Sequence, residues 1–356
     1  MTADDALVVG TAVAEPGERA TGSRHVAELP VGGDVRLPVI VVNGAATGPT
    51  VWVTAGIHGD EPTGTIVAHD VVDRIDVDAL AGRVVCLPVM NPDGFRRNRR
   101  TASYHDDDPN RHFGREPSPS GDPPRVQHQI CERIYEDIRE TADALVALHT
   151  SWVATHPYTI RPRVPYGTDR DTSAAIALRD DIAALTDAFG LPVVTQFDAA
   201  TTAARELDYA LAGAAVADGI PAFTPELGGR LVVERDVAAA AVDGLWNVFA
   251  ALGMVAEPVT PAARFELALE TDHKRFVGPH APVAGIVRYR VTEGSHLTAG
   301  DPVADVVDAH GTVQTTVTAP HDGVVLSRRE RAAVYRNDPL FDLAIPDDDP
   351  LLVEST

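Results

Sequence analysis

Apolar runs rich in Val and Ile recur along the chain up to about residue 255, at Pro38–Val42, Val51–Ala55, Val84–Val89, Ala144–Leu148, Pro192–Phe197 and Pro221–Thr224. Their shortness and β-branched content predict strands. Between them the pattern changes to a helical period. In Pro123–Ala142, Val126, Ile130, Ile134 and Ile138 recur every four residues, with acids and arginines between them. Thr172–Phe189, Arg205–Ala217 and Asp236–Leu252 read the same way, and Gly190, Gly219 and Gly253 stop them. This alternation predicts an α/β domain with a largely parallel or mixed sheet and helices on both faces. In such sheets functional groups gather on the loops at the carboxyl ends of the strands.

Beyond Glu257–Arg264, a proline-containing stretch that reads as a linker, the texture shifts to short Val-rich runs. Turn signals separate them at Thr292–Gly294, Ala299–Asp301, Ala309–Gly311 and His321–Gly323. The expected organisation is a domain over residues 1–260, a small all-β module over 265–346 and a frayed acidic tail over 347–356.

Composition narrows the function classes. At 44% hydrophobic the chain can bury a large core, which excludes global disorder. No apolar run approaches the roughly 18 residues of a membrane span, and the first residues lack a basic signal-peptide region, so the cytoplasm is the expected compartment. The formal charge is −22, from 52 Asp plus Glu against 30 Lys plus Arg, and repels nucleic acids and anionic lipid. Lys274 is the single lysine, a balance expected of a protein working in concentrated salt, or of an arginine-favouring genome. Cys86 and Cys131 form no disulfide framework and read as small buried hydrophobes.

Four segments carry candidate chemistry. In Thr54–Gly64 an apolar strand runs into His58 and Glu61, three apart at a strand-to-helix junction, where an imidazole and a carboxylate can converge on one cation. Alone, this spacing also fits a helix start with an incidental histidine. His149 ends an otherwise apolar strand, either as a ligand at the strand's carboxyl end or as a core histidine bonded to backbone. Two close ligands and a distant third have the layout of a catalytic zinc site. The other histidines considered, His69, His105, His112, His128 and His156, lack a strand-end setting and are expected at the surface. Asn91–Gly94 is turn chemistry, followed by Arg96, Arg97, Arg99 and Arg100 and then by Asn110 and Arg111. Arginine suits a carboxylate or a developing oxyanion, while salt bridges to Asp106, Asp107 and Asp108 are the preferred reading for Arg96, Arg97 and Arg99. Glu226 is an isolated strand-end carboxylate, either the general base of a metal-assisted hydrolysis or a cap or loop ion pair.

Taken together, Gly56–Glu61, Asn91–Gly94 with its arginines, Asp108–Phe113, Leu148–Thr150 and Glu226–Gly228 resemble, in order, the succinylglutamate desuccinylase/aspartoacylase family of the zinc carboxypeptidase superfamily. The resemblance implies a zinc-carboxypeptidase-like mixed sheet flanked by helices, and one zinc ion per chain on His58, Glu61 and His149. It implies Glu226 as general base and then acid, Arg100 as the oxyanion arginine with Arg99 as runner-up, and Asn110 and Arg111 on the substrate carboxylate. Pro109 departs from the apolar residue usual in the family and restricts the backbone of Asp108, while still allowing an extended approach to Asn110. Arg161, Arg163 and Tyr209 are further guesses at substrate contacts.

The C-terminal module resembles the barrel-sandwich fold of biotinyl and lipoyl carriers, but no lysine stands between Val303 and Pro320, which excludes a swinging-arm role. The expected activity is a zinc-dependent deacylase cleaving the amide of a small N-acyl amino acid. A carboxypeptidase-type exopeptidase, an esterase and a non-catalytic binding protein on the same scaffold are the alternatives, and a homo-oligomer stays open.

Overall fold

The computed structural model describes residues 6–30, 32–104, 106–115, 125–167, 170–269, 271–329 and 332–354. The central feature is a mixed sheet of 13 strands. Four parallel strands form its middle, in the spatial order Ala222–Glu226, Ala144–Ala147, Ala46–Thr54 and Ala81–Leu87. The last three are buried along nearly all of the paired stretch, which explains their continuous apolar runs. Beyond Ala81–Leu87 the antiparallel strands Asp34–Asn43 and Glu18–Glu28 close one side. Glu18–Glu28 escapes the hydrophobic pattern because it is the sheet's last strand and stays partly exposed.

On the other side follow Tyr158–Arg161, Val193–Thr195, His273–Val277, Phe341–Pro346, Gly323–Arg328 and His296–Leu297. The sheet therefore runs on past the Glu257–Arg264 stretch, since Thr195 pairs with Lys274. A second, four-stranded antiparallel sheet comprises Val313–Thr318, Pro302–Val307, Gly285–Tyr289 and Ala333–Val334. It packs through Val287, Val303, Val306 and Val317 on Val325, Phe341 and Leu343 of the large sheet. The segment from His273 to Pro346 is thus all-β among the described residues.

Seven helices cover the sheet among the described residues: α1 Pro62–Arg74, α2 Pro92–Arg97, α3 Val126–Thr141, α4 Thr172–Phe189, α5 Ala199–Ala204, α6 Leu211–Ala217 and α7 Arg235–Ala251. The stripe Ile130, Ile134 and Ile138 of α3 enters a core with Val39, Trp52 and Val85. A core on the opposite face takes Val67 and Val71 of α1, Leu185 and Phe189 of α4, and Leu245 and Val248 of α7. Each such side chain contributes about 1.5–3 kcal/mol on burial. Asp171 caps α4 by accepting from the Ala174 amide, and Gly190 ends it at φ 83°.

Two expectations need correction. The helix expected over Arg205–Ala217 is broken: Glu206 has φ 53°, a 3₁₀ turn spans Leu207–Tyr209, and α6 starts at Leu211. The frayed tail is instead partly paired, with Leu352–Glu354 parallel to Val164–Tyr166. Arg163 supplies the reason, for it donates to both carboxylate oxygens of Asp347 at 2.9 and 3.0 Å and to the carbonyl of Pro350 at 2.9 Å. No described helix is long and apolar enough to cross a membrane.

Candidate active site

Two chain segments bring His58, Glu61 and His149 together at the carboxyl ends of the parallel strands. The loop after Ala46–Thr54 carries His58 and Glu61, and Pro62 then opens α1 at a position where a missing N–H costs nothing. This loop lies so close to α2 that a Cβ on Gly59 would stand 2.0 Å from the Gly94 carbonyl carbon. His149 lies just past Ala144–Ala147 and bridges Glu226 in parallel register, its amide donating to the Pro225 carbonyl at 2.9 Å. That register is why two strand-end side chains from distant segments face one cavity.

The geometry is compact. Nδ1 of His58 is 2.7 Å from one oxygen of Glu61, and Nδ1 of His149 is 2.9 Å from the other. The Thr150 amide donates to the Glu61 carboxylate at 3.0 Å. All three side chains are buried, and their donor atoms lie within 4.8 Å of one another, a group that can hold a metal ion. Nε2 of His58 is fixed by Asp108 at 2.9 Å. Burial pushes the Glu61 carboxyl up, but the two imidazoles facing it prevail and hold it well below the usual carboxylate range. For His58, burial and Arg100 act downward, and Glu61 and Asp108 outweigh them, so its pKa is raised. Glu226 is 8% exposed with Oε2 lacking a hydrogen-bond partner, and burial raises its pKa.

Of the arginine run, Arg100 turns inward and Arg99 stays at the surface. Asn91 decides this: its Oδ1 caps α2 at the Gly94 amide, and its Nδ2 donates to the Arg100 carbonyl at 3.2 Å. Asn98, at φ 49°, turns the chain between them. Arg100 donates to Glu61 at 3.2 Å and to Asp108 at 2.9 Å. The salt bridges expected for Arg96 and Arg97 go to Asp93, at 3.9 and 3.0 Å, because residues three and four apart on α2 are neighbours.

Asn110 accepts from the Leu211 amide at 2.8 Å and turns its Nδ2 toward Nε2 of His149 at 3.4 Å. Arg111 lines the cavity, yet its guanidinium donates to the Arg205 and Asn110 carbonyls at 2.9 and 2.6 Å. Pro109 opens the 3₁₀ turn Pro109–Arg111, which Asp108 caps by accepting from the Asn110 amide. The guessed contacts Arg161, Arg163 and Tyr209 do not line the cavity: Arg161 is held by Thr186 and Asp187, Arg163 by Asp347, and Tyr209 stacks under Arg115.

The cavity measures about 190 Å³. Sequence reading missed much of its wall. Arg275 and Asp342 come from strands of the C-terminal segment, and Arg329 follows another. Arg205 and Arg275 approach the Phe197 ring at 5.0 and 4.8 Å. Arg230 and Arg329 approach Trp152 at 4.9 and 3.7 Å. No local motif marks these residues; the excess of arginine over lysine is the one signal the sequence carries.

A model of the succinylglutamate desuccinylase/aspartoacylase catalytic domain matches residues 47–252, more than half the chain. The chain belongs to this family. Among curated proteins it is 26% identical over 337 residues to the N-alpha-acetyl-L-2,4-diaminobutyric acid deacetylase of Halomonas elongata, covering 91% of this chain and 92% of the relative. A succinylglutamate desuccinylase/aspartoacylase structure from Rhodobacter sphaeroides superposes with a TM-score of 0.75 at 23% identity, covering 93% and 96% of the two chains. The product-bound ectoine utilization protein EutE (DoeB) from Ruegeria pomeroyi gives 0.74 at 20% identity, covering 96% and 98%. Such structural likenesses establish a shared mixed α/β fold.

Proposed function

We propose that the protein is a cytoplasmic zinc-dependent deacylase that hydrolyses the amide bond of a small N-acyl amino acid. The observation that carries this reading is the convergence of His58, Glu61 and His149 beside Glu226 in one cavity. Their chemistry fits zinc: two imidazole nitrogens and a carboxylate leave a coordination position open, and Asp108 orients His58 through its second nitrogen. A zinc ion bound there would polarise the scissile carbonyl and lower the pKa of the attacking water toward about 7.

The chain's own groups do the rest. Glu226 takes a proton from the water as its oxygen bonds to the carbonyl carbon, then returns that proton to the nitrogen as the C–N bond breaks. Arg100 faces the developing oxyanion. Products are a carboxylic acid and a free amine.

Two features support the substrate class. Six arginines line the cavity against the three carboxylates of Glu61, Glu226 and Asp342, in a chain whose net charge is −22. That local excess suits a substrate carboxylate. The Halomonas elongata relative, a deacetylase by name, favours an acetyl group.

The test is hydrolysis of a panel of N-acetyl, N-succinyl and N-formyl amino acids by full-length protein in concentrated salt, with and without chelator. Activity lost on chelation and restored by Zn²⁺ is expected. Hydrolysis indifferent to chelation, or restricted to peptides, would overturn the reading.

A further inference from the structure

A second histidine group lies behind the loop that carries Asp108, Asn110 and Arg111. His112, expected at the surface, is 7% exposed, and neither of its ring nitrogens has a hydrogen-bond partner. Nε2 lies 3.0 Å from Oδ2 of Asp107 without the alignment of a hydrogen bond, and the buried Oδ1 of Asp107 is also unpartnered. His128, from the first turn of α3, places its ring centroid 4.2 Å from that of His112. One donor atom from each of Asp107, His112 and His128 lies within 4.8 Å of the other two.

A buried imidazole with Nδ1 unpartnered and Nε2 meeting only a misaligned carboxylate is costly, because water cannot compensate it. Stacking against a second imidazole satisfies neither nitrogen. The close approach of a nitrogen and an oxygen whose hydrogen-bond directions do not align is what two ligands of one ion display. Two imidazoles and a carboxylate form a borderline donor set suited to Zn²⁺, with bonds of about 2.0–2.2 Å.

We propose that Asp107, His112 and His128 form a second divalent-cation site, taking Zn²⁺, which ties the Asp106–Arg111 loop to α3. The same helix already touches this loop through the Cys131 thiol, 3.4 Å from the Pro109 carbonyl. The bound ion fixes the backbone from which Asp108 reaches His58 and Asn110 reaches His149. It is structural, and no substrate atom meets it.

The test is zinc content per chain of the full-length protein, loaded with Zn²⁺, desalted and measured by elemental analysis. Wild type is expected to hold two equivalents, His128→Gln and Asp107→Asn one each, and His149→Ala one. If His128→Gln and Asp107→Asn retain the wild-type content, or wild type holds one ion that His149→Ala removes, the second site is wrong while the active-site reading stands. If wild type holds one ion that His128→Gln removes and His149→Ala retains, this site stands and the active-site reading falls. Circular dichroism verifies folding; should His128→Gln misfold, the near-isosteric Asp107→Asn carries the comparison.

Discussion

Nε2 of His58 donates to Oδ1 of Asp108 at 2.9 Å, across a separation of 50 residues. The other Asp108 oxygen takes Arg100 at 2.9 Å. One loop carboxylate therefore sets the tautomer of a proposed ligand, leaving Nδ1 for the ion, and holds the proposed oxyanion arginine. The Asp108 carboxyl resists protonation: burial acts upward, but His58, Arg100 and Arg111 outweigh it and hold its pKa far below the usual range.

Asp108→Asn keeps the shape but removes the charge. Zinc affinity, measured by competition with a chromophoric chelator, is expected to fall about 10- to 100-fold. An unchanged affinity would show that His58 needs no outer carboxylate.

Glu226→Gln separates proton transfer from metal binding, since Glu226 is outside the His58–Glu61–His149 group. Turnover of the cognate amide is expected to drop by about 10²- to 10⁴-fold with zinc content unchanged. Near wild-type turnover would assign the base elsewhere.

The Arg163 side chain is 5% exposed and that of Asp347 1%, so the ion pair joining the Val164–Tyr166 strand region to the tail is shielded from water. Arg163→Ala leaves Asp347 buried without this partner and is expected to cost about 3–5 kcal/mol in urea unfolding. Limited proteolysis near Leu352 is expected to accelerate in parallel. A loss under about 1 kcal/mol would mean the tail docks through its strand alone.

Burial pushes the thiols of both Cys86 and Cys131 up to about 12. A raised thiol pKa lowers the thiolate fraction, to about one part in ten thousand at pH 8. Native protein is therefore expected to resist iodoacetamide at pH 8, with both sulfurs alkylated once it is unfolded. Rapid labelling of the native chain would show that one of these thiols opens to solvent.

The strand-end donors were legible because their signals are local. An apolar strand running into His58 and Glu61, and another ending at His149, each report a buried backbone with a polar group at its tip. The choice between Arg99 and Arg100 was not legible, since five neighbouring residues of one charge pattern look alike. Which of the two side chains lines the cavity depends on Asn91 and the left-handed Asn98. His112 was misjudged for a related reason: no periodicity surrounds it, and its burial comes from α3 packing over a loop.

By itself the sequence determined the α/β alternation, the all-β texture after residue 265 and the donor set of the candidate metal group. Hydrophobic period and residue chemistry are properties of short segments, and these features need nothing longer. Tertiary structure alone decided that the sheet continues through His273–Val277 and Phe341–Pro346 and so lays Arg275 and Asp342 against the cavity. Strand addition at a sheet edge depends on which backbone hydrogen bonds remain open after the first strands have paired. That accounting belongs to the assembled sheet, and no window of residues contains it.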